Sequence, residues 1–416
     1  MSFKEYTLDE LLPYEQPGAY IVKSTKYNDS YKTPVLTAGK SFILGYTNET
    51  EGIYDQLPCI IFDDFTTATQ YVNFKFKVKS SAMKILHINN KVVLPKYIYY
   101  KLQTIHVDHS THKRYWIQQF SKIKVKIPSL QEQERIVSKI EESLSALDNA
   151  VETLNKTKEQ LAVYRQAVLK QAFEGKLTEE WRLCISPDST KSDFASVQIK
   201  NATFKDVSGD ENEIKLEMPS TWKKVRFGEV FDVEVGATPS RRVSEYWNGD
   251  INWVSSGEVH FNLISDTNER ITEDGLNHSS TNVHPKGTVM LAMIGEGKTR
   301  GQAAILNISA AHNQNTAAIL VSKTKCQPKY VYYFLQMNYE NTRRVGSGNN
   351  QKALNKERVR ALRFPFCSFE EQKEIVSEIE SRISVCENIE ETVNHTLNRA
   401  EAMRQSILKM AFEGGL

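Results

Sequence analysis

Residues 132–141 read EQERIVSKIE, and residues 371–380 read EQKEIVSEIE. From these two stretches the match runs without a gap, at an offset of 239, to RQAVLKQAFEGKL (165–177) and RQSILKMAFEGGL (404–416); 22 of the 46 aligned positions are identical. Chance does not produce that agreement, so the chain carries an internal duplication. The duplication also extends upstream. Pro95-Lys96-Tyr97-Ile98-Tyr99-Tyr100 precedes the first copy and Pro328-Lys329-Tyr330-Val331-Tyr332-Tyr333 the second, at an offset of 233. The chain is therefore two tandem halves, each a globular head followed by one repeated segment. The heads have diverged and the repeated segments have not.

Each repeated segment reads as one long helix, because neither Pro nor Gly occurs over 129–174 or 366–413. The first copy places Ile140, Leu144, Leu147, Val151, Leu154 and Leu161 on one stripe at coiled-coil spacing. The second offers Ile379, Ile383, Cys386, Val393, Leu397 and Ala400. Gly175 and Gly414 stand where a helix C-cap is expected. A helix with an apolar stripe needs a partner, and the simplest partner is the other copy. An antiparallel pair, related by a pseudo-two-fold axis, would carry the heads at its two ends. The expected fold class is α+β, with two mixed α/β heads and two long antiparallel helices. The expected boundaries are 1–128 for the first head, 129–177 for its helix, 216–364 for the second head and 365–416 for the last helix. Between the halves, 178–215 is polar and lacks periodicity, so it reads as a linker. Pro187-Asp188 and Glu213-x-Lys215 within it loosely match a nuclease pattern. Such a site needs acids on paired core strands to hold a metal, so the match is read as accidental.

Composition narrows the function. The chain has 416 residues, 40% of them hydrophobic, and a net charge of +2. No run is long enough to span a bilayer, and MSFKEYTLDELL has no basic-then-apolar signal pattern. Cys59, Cys184, Cys326, Cys367 and Cys386 form no C-x-x-C or zinc spacing, which suits a reducing cytoplasm. His106, His109 and His112 recur every third residue, but without a nearby carboxylate or Cys they read as a solvated loop rather than a metal site.

Residues 290–302, MLAMIGEGKTRGQ, approach the phosphate-binding pattern G-x-x-x-x-G-K-[ST], with Ala292 in place of the first Gly. A phosphate loop must follow a buried strand and open a helix, whose N-terminal N–H groups hold the anion. Thr288–Ile294 suits the strand. The downstream half does not suit a helix: Ala303–Leu306 and Thr316–Val321 are short apolar runs split by His312-Asn313-Gln314-Asn315. The stretch reads as strand, turn, strand. Head one carries a similar pattern, with strands expected at Cys59–Phe62 and over the alternating Tyr71–Val78, then a helix from Pro95 to Leu102.

Two dissimilar heads on a shared frame suit a partner with two dissimilar sites, and DNA is the obvious one. Arg and Lys pair with guanine edges, and Asn and Gln with adenine. The candidate contacts in head one are His112, Lys113, Arg114 and Tyr115, with Thr66, Thr67 and Gln70 on the turn opposite the Gly-Lys-Thr turn of head two. In head two they are Arg241, Arg242, Lys298, Thr299, Arg300, Gln302, Arg343, Arg344, Asn349, Asn350 and Lys352.

At this point the sequence resembles the specificity subunits of type I restriction–modification systems over essentially its whole length. Ile127-Pro128 followed by Glu132-Gln133 and Ile136, and Phe364-Pro365 followed by Glu371-Gln372 and Ile375, are similar to the start of that family's long helices, without its second proline. Phe173-Glu174-Gly175-Lys176-Leu177 and Phe412-Glu413-Gly414-Gly415-Leu416 resemble its helix ends. Gly236-Ala237-Thr238-Pro239-Ser240 and Tyr246–Val254 resemble the opening of its target recognition domains.

The resemblance implies that each head reads half of a bipartite, asymmetric site in double-stranded DNA. It implies that the helix pair sets the spacer and docks two modification (methyltransferase) subunits. Those would bind S-adenosylmethionine and methylate adenine N6. Restriction subunits would supply the endonuclease and ATP- and Mg-driven translocation. The chain itself would bind no cofactor and catalyse nothing; it lacks N-P-P-[FY]. Self-association of the isolated chain is left open. The alternatives are a recognition subunit of a related restriction or methylation system, and a coiled-coil scaffold whose heads bind protein.

Overall fold

The computed structural model describes residues 3–39, 41–105, 114–184, 216–295, 297–344 and 354–414. The remainder of the interdomain stretch, with Pro187, Asp188, Glu213 and Lys215, lies outside the described residues, as do His106, His109 and His112. The chain divides into two compact units. One comprises Met1–Thr157 with Thr392–Leu416, and the other comprises Lys158–Glu391.

The first unit opens with strand β1 (Lys4–Thr7) and helix α1 (Leu8–Leu11), whose first turn Thr7 and Glu10 close as a capping box. Strands β2 (Tyr14–Glu15), β3 (Thr33–Leu36), β4 (Ile43–Thr47), β5 (Cys59–Asp63), β6 (Thr69–Val72), β7 (Lys77–Val78) and β8 (Met83–His87) follow. Helices α2 (Pro95–Gln103) and α3 (Tyr115–Gln118) and strand β9 (Lys124–Ile127) complete the head, and the chain then enters α4 (Leu130–Phe173). The sheets are β1-β9, β2-β8-β5-β6 and β4-β3-β7. The alternation over Tyr71–Val78 does not form one strand. Thr69–Val72 pairs with β5, whereas Lys77 and Val78 pair in parallel with β3 in another sheet. Lys77 decides this: its side chain is buried, ion-paired to Glu49 at 3.2 Å and bonded to the carbonyls of Glu51 and Gly52. A charge so neutralised belongs to the core, so periodicity misreads it.

The second unit takes up the end of α4, then helix α5 (Glu179–Cys184). The compact structure thus runs further than the expected helix boundary. Buried Glu371 accepts hydrogen bonds from Thr178 Oγ1 and Trp222 Nε1, both at 2.9 Å, and pairs with Arg182. Head two contains β10 (Lys223–Arg226), α6 (Phe227–Val230), β11 (Val233–Val235), β12 (Trp247–Val254), β13 (Asn262–Ile264) and β14 (Glu269–Ile271). After α7 (Glu273–Asn277) come β15 (Val289–Ala292), β16 (Ala303–Leu306), β17 (Ala311–His312) and β18 (Thr316–Ile319). Helices α8 (Pro328–Met337), α9 (Tyr339–Arg344) and α10 (Lys356–Ala361), strand β19 (Arg363–Phe366) and helix α11 (Phe369–Glu413) follow. The sheets are β10-β19, β11-β18-β15-β16-β13 and β14-β12-β17. Strand for strand this is the order of head one, down to the parallel pairs β3–β7 and β12–β17, with β13 added at one edge.

Helices α4 and α11 form the long antiparallel pair. Ser129 and Ser368 cap their N-termini, and Gly175 (φ 71°) and Gly414 (φ 82°) end them in the left-handed region, where a Cβ is unfavourable. In the first unit Ile140 and Leu144 pack with Ile407, Leu408 and Ala411, with Leu147 against them. In the second unit Ile379 joins Leu169, Ala172 and Phe173 in the core, Ile383 packs against them, and Arg165 reaches Glu390 at 2.8 Å. Val393 is buried, and Val151, Leu154, Leu161 and Leu397 are half-buried. Among the described residues no helix is long and apolar enough to cross a membrane, and no group of three or more His, Cys, Asp or Glu could hold a metal.

Each head is tied to its helix by the repeated residues themselves. Gln133 is fully buried; its Oε1 accepts from Leu94 N at 2.8 Å, and its Nε2 donates to the carbonyls of Val92 and Pro128. Gln372 does the same in the second unit, accepting from Gln327 N and donating to Cys367 O, both at 2.9 Å. Leu94 and Gln327 are the N-caps of α2 and α8, each just ahead of a proline. Lys96–Glu141 and Lys329–Glu380 are matching ion pairs. Phe412 packs edge-on to Tyr97, and Phe173 packs against Tyr330. The motifs shared by the two halves are thus the two sides of one joint.

Replacing Gln133 or Gln372 by Ala strands buried backbone groups, so each variant is expected to lose on the order of 3 kcal/mol of unfolding free energy in urea titration. A loss near zero would show that water takes over the bonds. A second expectation concerns pH. Buried His312 faces Thr316 Oγ1 at 2.7 Å and His284 Nε2 at 3.1 Å. Thr316 donates to Asn313 O, so the His312 Nδ1 carries the ring proton. Burial, then the neighbouring His284, pushes the His312 pKa down from 6.5 to about 3. Burial also lowers that of His284, against the opposing pull of Glu234. The unfolded chain therefore binds more protons between these limits, and stability falls as pH drops from about 6.5 towards 3. His312→Gln should flatten that part of the pH–stability profile.

Candidate nucleic-acid interface

In both heads a hairpin turn packs against the segment that leads towards the last strand of the head. In head one the turn joins β5 to β6. Asp63 Oδ1 accepts from the N–H groups of Phe65 and Thr66, and Thr67 sits at φ 60°. Buried Asp64 pairs with buried Lys84 at 3.0 Å. Its backbone carbonyl accepts from Tyr115 N and its carboxylate from Trp116 N, which fixes the returning chain against the turn. In head two the turn joins β15 to β16, and Met293 O accepts from Leu354 N at 3.0 Å. Asp64 and Met293 are equivalent, and so are Tyr115 and Leu354.

The Gly-Lys-Thr stretch is this second turn. Val289–Leu291 pairs antiparallel with Ala303–Ile305, and Gly301 N donates to Ala292 O. The chain doubles back as a strand where a phosphate loop would begin a helix.

The turn and the segment packed on it recur in the same place in both heads. A family model described as "Type I restriction modification DNA specificity domain" matches residues 2–163 and again 219–399. This chain belongs to the type I restriction–modification specificity subunits. The specificity subunit of the EcoR124I/EcoR124II type I restriction enzyme of Escherichia coli is 32% identical over 386 residues, covering 89% of this chain and 84% of the relative. That of the MjaVIII enzyme of Methanocaldococcus jannaschii is 23% identical over 385 residues, 88% of this chain and 80% of the relative. Among solved structures, the fold is similar to a chain from a study of type I R-M complex assembly and conformational transition. That likeness has a TM-score of 0.66 at 16% identity, over 100% of this chain and 98% of that one. The HsdS subunit of Thermoanaerobacter tengcongensis gives a TM-score of 0.52 at 16% identity, over 100% and 97% of the two chains.

As a DNA specificity subunit, the chain divides its candidate contacts by environment. Lys298 is exposed, and Thr299, Arg300 and Gln302 are half-buried beside it. Thr66 and Arg114 are exposed, and Thr67 and Gln70 are half-buried. Tyr115 does not share that surface: it is 2% exposed in the head-one core, anchoring the returning chain. Arg241 is committed to its own head. It pairs through both nitrogens with Glu269, which raises its pKa and lowers that of Glu269, and it lies 3.7 Å over the Trp247 ring. Arg242 is exposed. Arg344 pairs with Glu340 at 3.5 Å, and Arg343 bonds within the head. His112, Lys113, Asn349, Asn350 and Lys352 lie outside the described residues.

Sequence reasoning passed over Phe65 and Ile294. They occupy equivalent turn positions, and both are unusually open for their type, at 53% and 45% exposure. An apolar residue inside an otherwise polar turn was the available signal.

Because the second turn opens no helix, the purified specificity subunit is expected to show no calorimetric binding of ATP at millimolar concentration. Saturable binding abolished by Lys298→Ala would sink that assignment.

Proposed function

We propose that each head reads one half of a bipartite, asymmetric site in double-stranded DNA, and that its hairpin turn lies against the bases. The observation that carries this is the pairing of one frame with two chemistries. The sheet order is the same, but one turn offers Thr66, Thr67 and Gln70 where the other offers Lys298, Thr299, Arg300 and Gln302. Neutral hydroxyl and amide groups favour different base edges from cationic ones. Phe65 and Ile294 are suited to apolar contact with thymine methyl groups. Exposed cations such as Arg114, Arg242 and Lys298 are suited to phosphates and to guanine edges.

The helix pair sets the spacer between the half-sites and docks two methyltransferase subunits. Val163, Tyr164, Val385 and Ile389 in the second unit, and Met403 and Met410 in the first, are exposed apolar side chains on these helices. Such side chains favour a partner over water. S-adenosylmethionine belongs to those partners, and ATP and Mg to the restriction subunits that join them.

Helix length is the test. Four residues inserted after both Asn155 and Asn394 lengthen a continuous helix by ~6 Å. At ~3.4 Å per base pair, the spacer should grow by at most about two pairs while both half-sites keep their bases. Methylation-site sequencing of a host carrying the insertions reads both quantities. An unchanged gap in an active complex, or a changed half-site, would remove the spacer role.

A further inference from the structure

Helix α9 grips the head-two turn by its backbone. Tyr339 Oη donates to Lys298 O, and Arg343 Nη2 donates to Gly297 O. Arg343 Nη1 donates to Tyr339 Oη at 3.0 Å, closing a three-bond ring between helix and turn. The two accepting carbonyls belong to the consecutive peptide groups that flank Lys298. Fixing both planes fixes the φ and ψ of Lys298, and with them the direction in which its exposed side chain leaves the backbone. The grip has its own footing. The Tyr339 ring meets Phe261 edge-on at 5.3 Å, and Phe261 leads directly into β13, the strand that head two adds to the shared sheet order. Gly301, at φ 86°, keeps the path clear, since a Cβ there would lie 3.3 Å from Arg343 N and Cβ. Nη1 and Nη2 are thus both engaged in holding the turn.

We propose that Tyr339 and Arg343 are positioning residues that set the base preference of head two by holding the β15–β16 turn against α9. Arg343 then acts through Lys298 and Thr299 and is not itself a base reader. This rests on the reading that the turn faces DNA, and the experiment separates the two ideas.

Tyr339→Phe, Arg343→Lys and Lys298→Ala are each introduced into the full chain, co-expressed with its methyltransferase subunit. Adenine methylation is then mapped across the host genome. Tyr339→Phe removes a single oxygen atom, so it retains the fold. Tyr339→Phe and Arg343→Lys should each relax discrimination at one or more positions of one half-site by roughly tenfold, leaving the other half-site untouched. Lys298→Ala should relax the same half-site. A merely structural role would instead lower methylation evenly at every target without altering any base preference, and that result overturns the proposal. If Lys298→Ala relaxes a half-site while Tyr339→Phe and Arg343→Lys leave both intact, the positioning role is wrong and the DNA-facing turn stands. If all three variants keep both half-sites and their occupancy, the DNA-facing reading of the turn fails, and the positioning role fails with it.

Discussion

Gln133 and Gln372 are primary amides sealed from water at the foot of helices of 44 and 45 residues, and every polar atom they own must find a partner inside the protein. They find it on the backbone. The N-cap residues Leu94 and Gln327 have N–H groups that the following helix cannot use, and those groups also need a partner. Amide and N-cap therefore satisfy one another, and the geometry works only if the long helix leaves the head at one angle. The ion pairs Lys96–Glu141 and Lys329–Glu380 and the ring contacts Phe412–Tyr97 and Phe173–Tyr330 surround the same joint. The sheets, the turns they carry and the helix that leaves them all hang from this arrangement.

The two joints are not equal in their surroundings. Glu371 is buried and accepts from Thr178 and Arg182, in the stretch that follows α4, and from Trp222, just ahead of β10. Its equivalent, Glu132, lies nearer the surface and bonds Arg135 on its own helix. A buried carboxylate needs several donors before its burial is tolerable, and the extra segment supplies Thr178 and Arg182. Arg182, in the helix Glu179–Cys184, ties that helix to the joint.

The parts legible in the sequence are those governed by local rules. A Gly- and Pro-free duplication with an apolar stripe at coiled-coil spacing specifies paired helices, and Gly175 and Gly414 mark their ends. The turn at Lys298 was legible because Gly301 and the short apolar run after it suit a strand and not a helix. What was not legible depended on distant partners. Lys77 looks like an exposed strand position until Glu49 and two carbonyls surround it. Arg241 looks like a free cation until Glu269 and Trp247 are folded beside it. Tyr115 belongs to a polar stretch in sequence, yet Asp64, some fifty residues earlier, draws it into the core. No periodicity encodes such neighbours, and even the identity of the two sheet orders is hidden behind diverged side chains.

The bonds made by Gln133 and Gln372 end on carbonyls and N–H groups, and those groups are the same in every non-proline residue. A head can therefore exchange nearly all its side chains and still seat on its helix, provided its chain traces the same path at Leu94 or Gln327. Substitutions in the turns fall on different residues from those that hold the head in place. Inheritance can then vary the one while selection preserves the other. The two halves of this chain record that outcome: repeated segments still nearly half identical, joined to heads whose common ancestry survives mainly in the order of their strands.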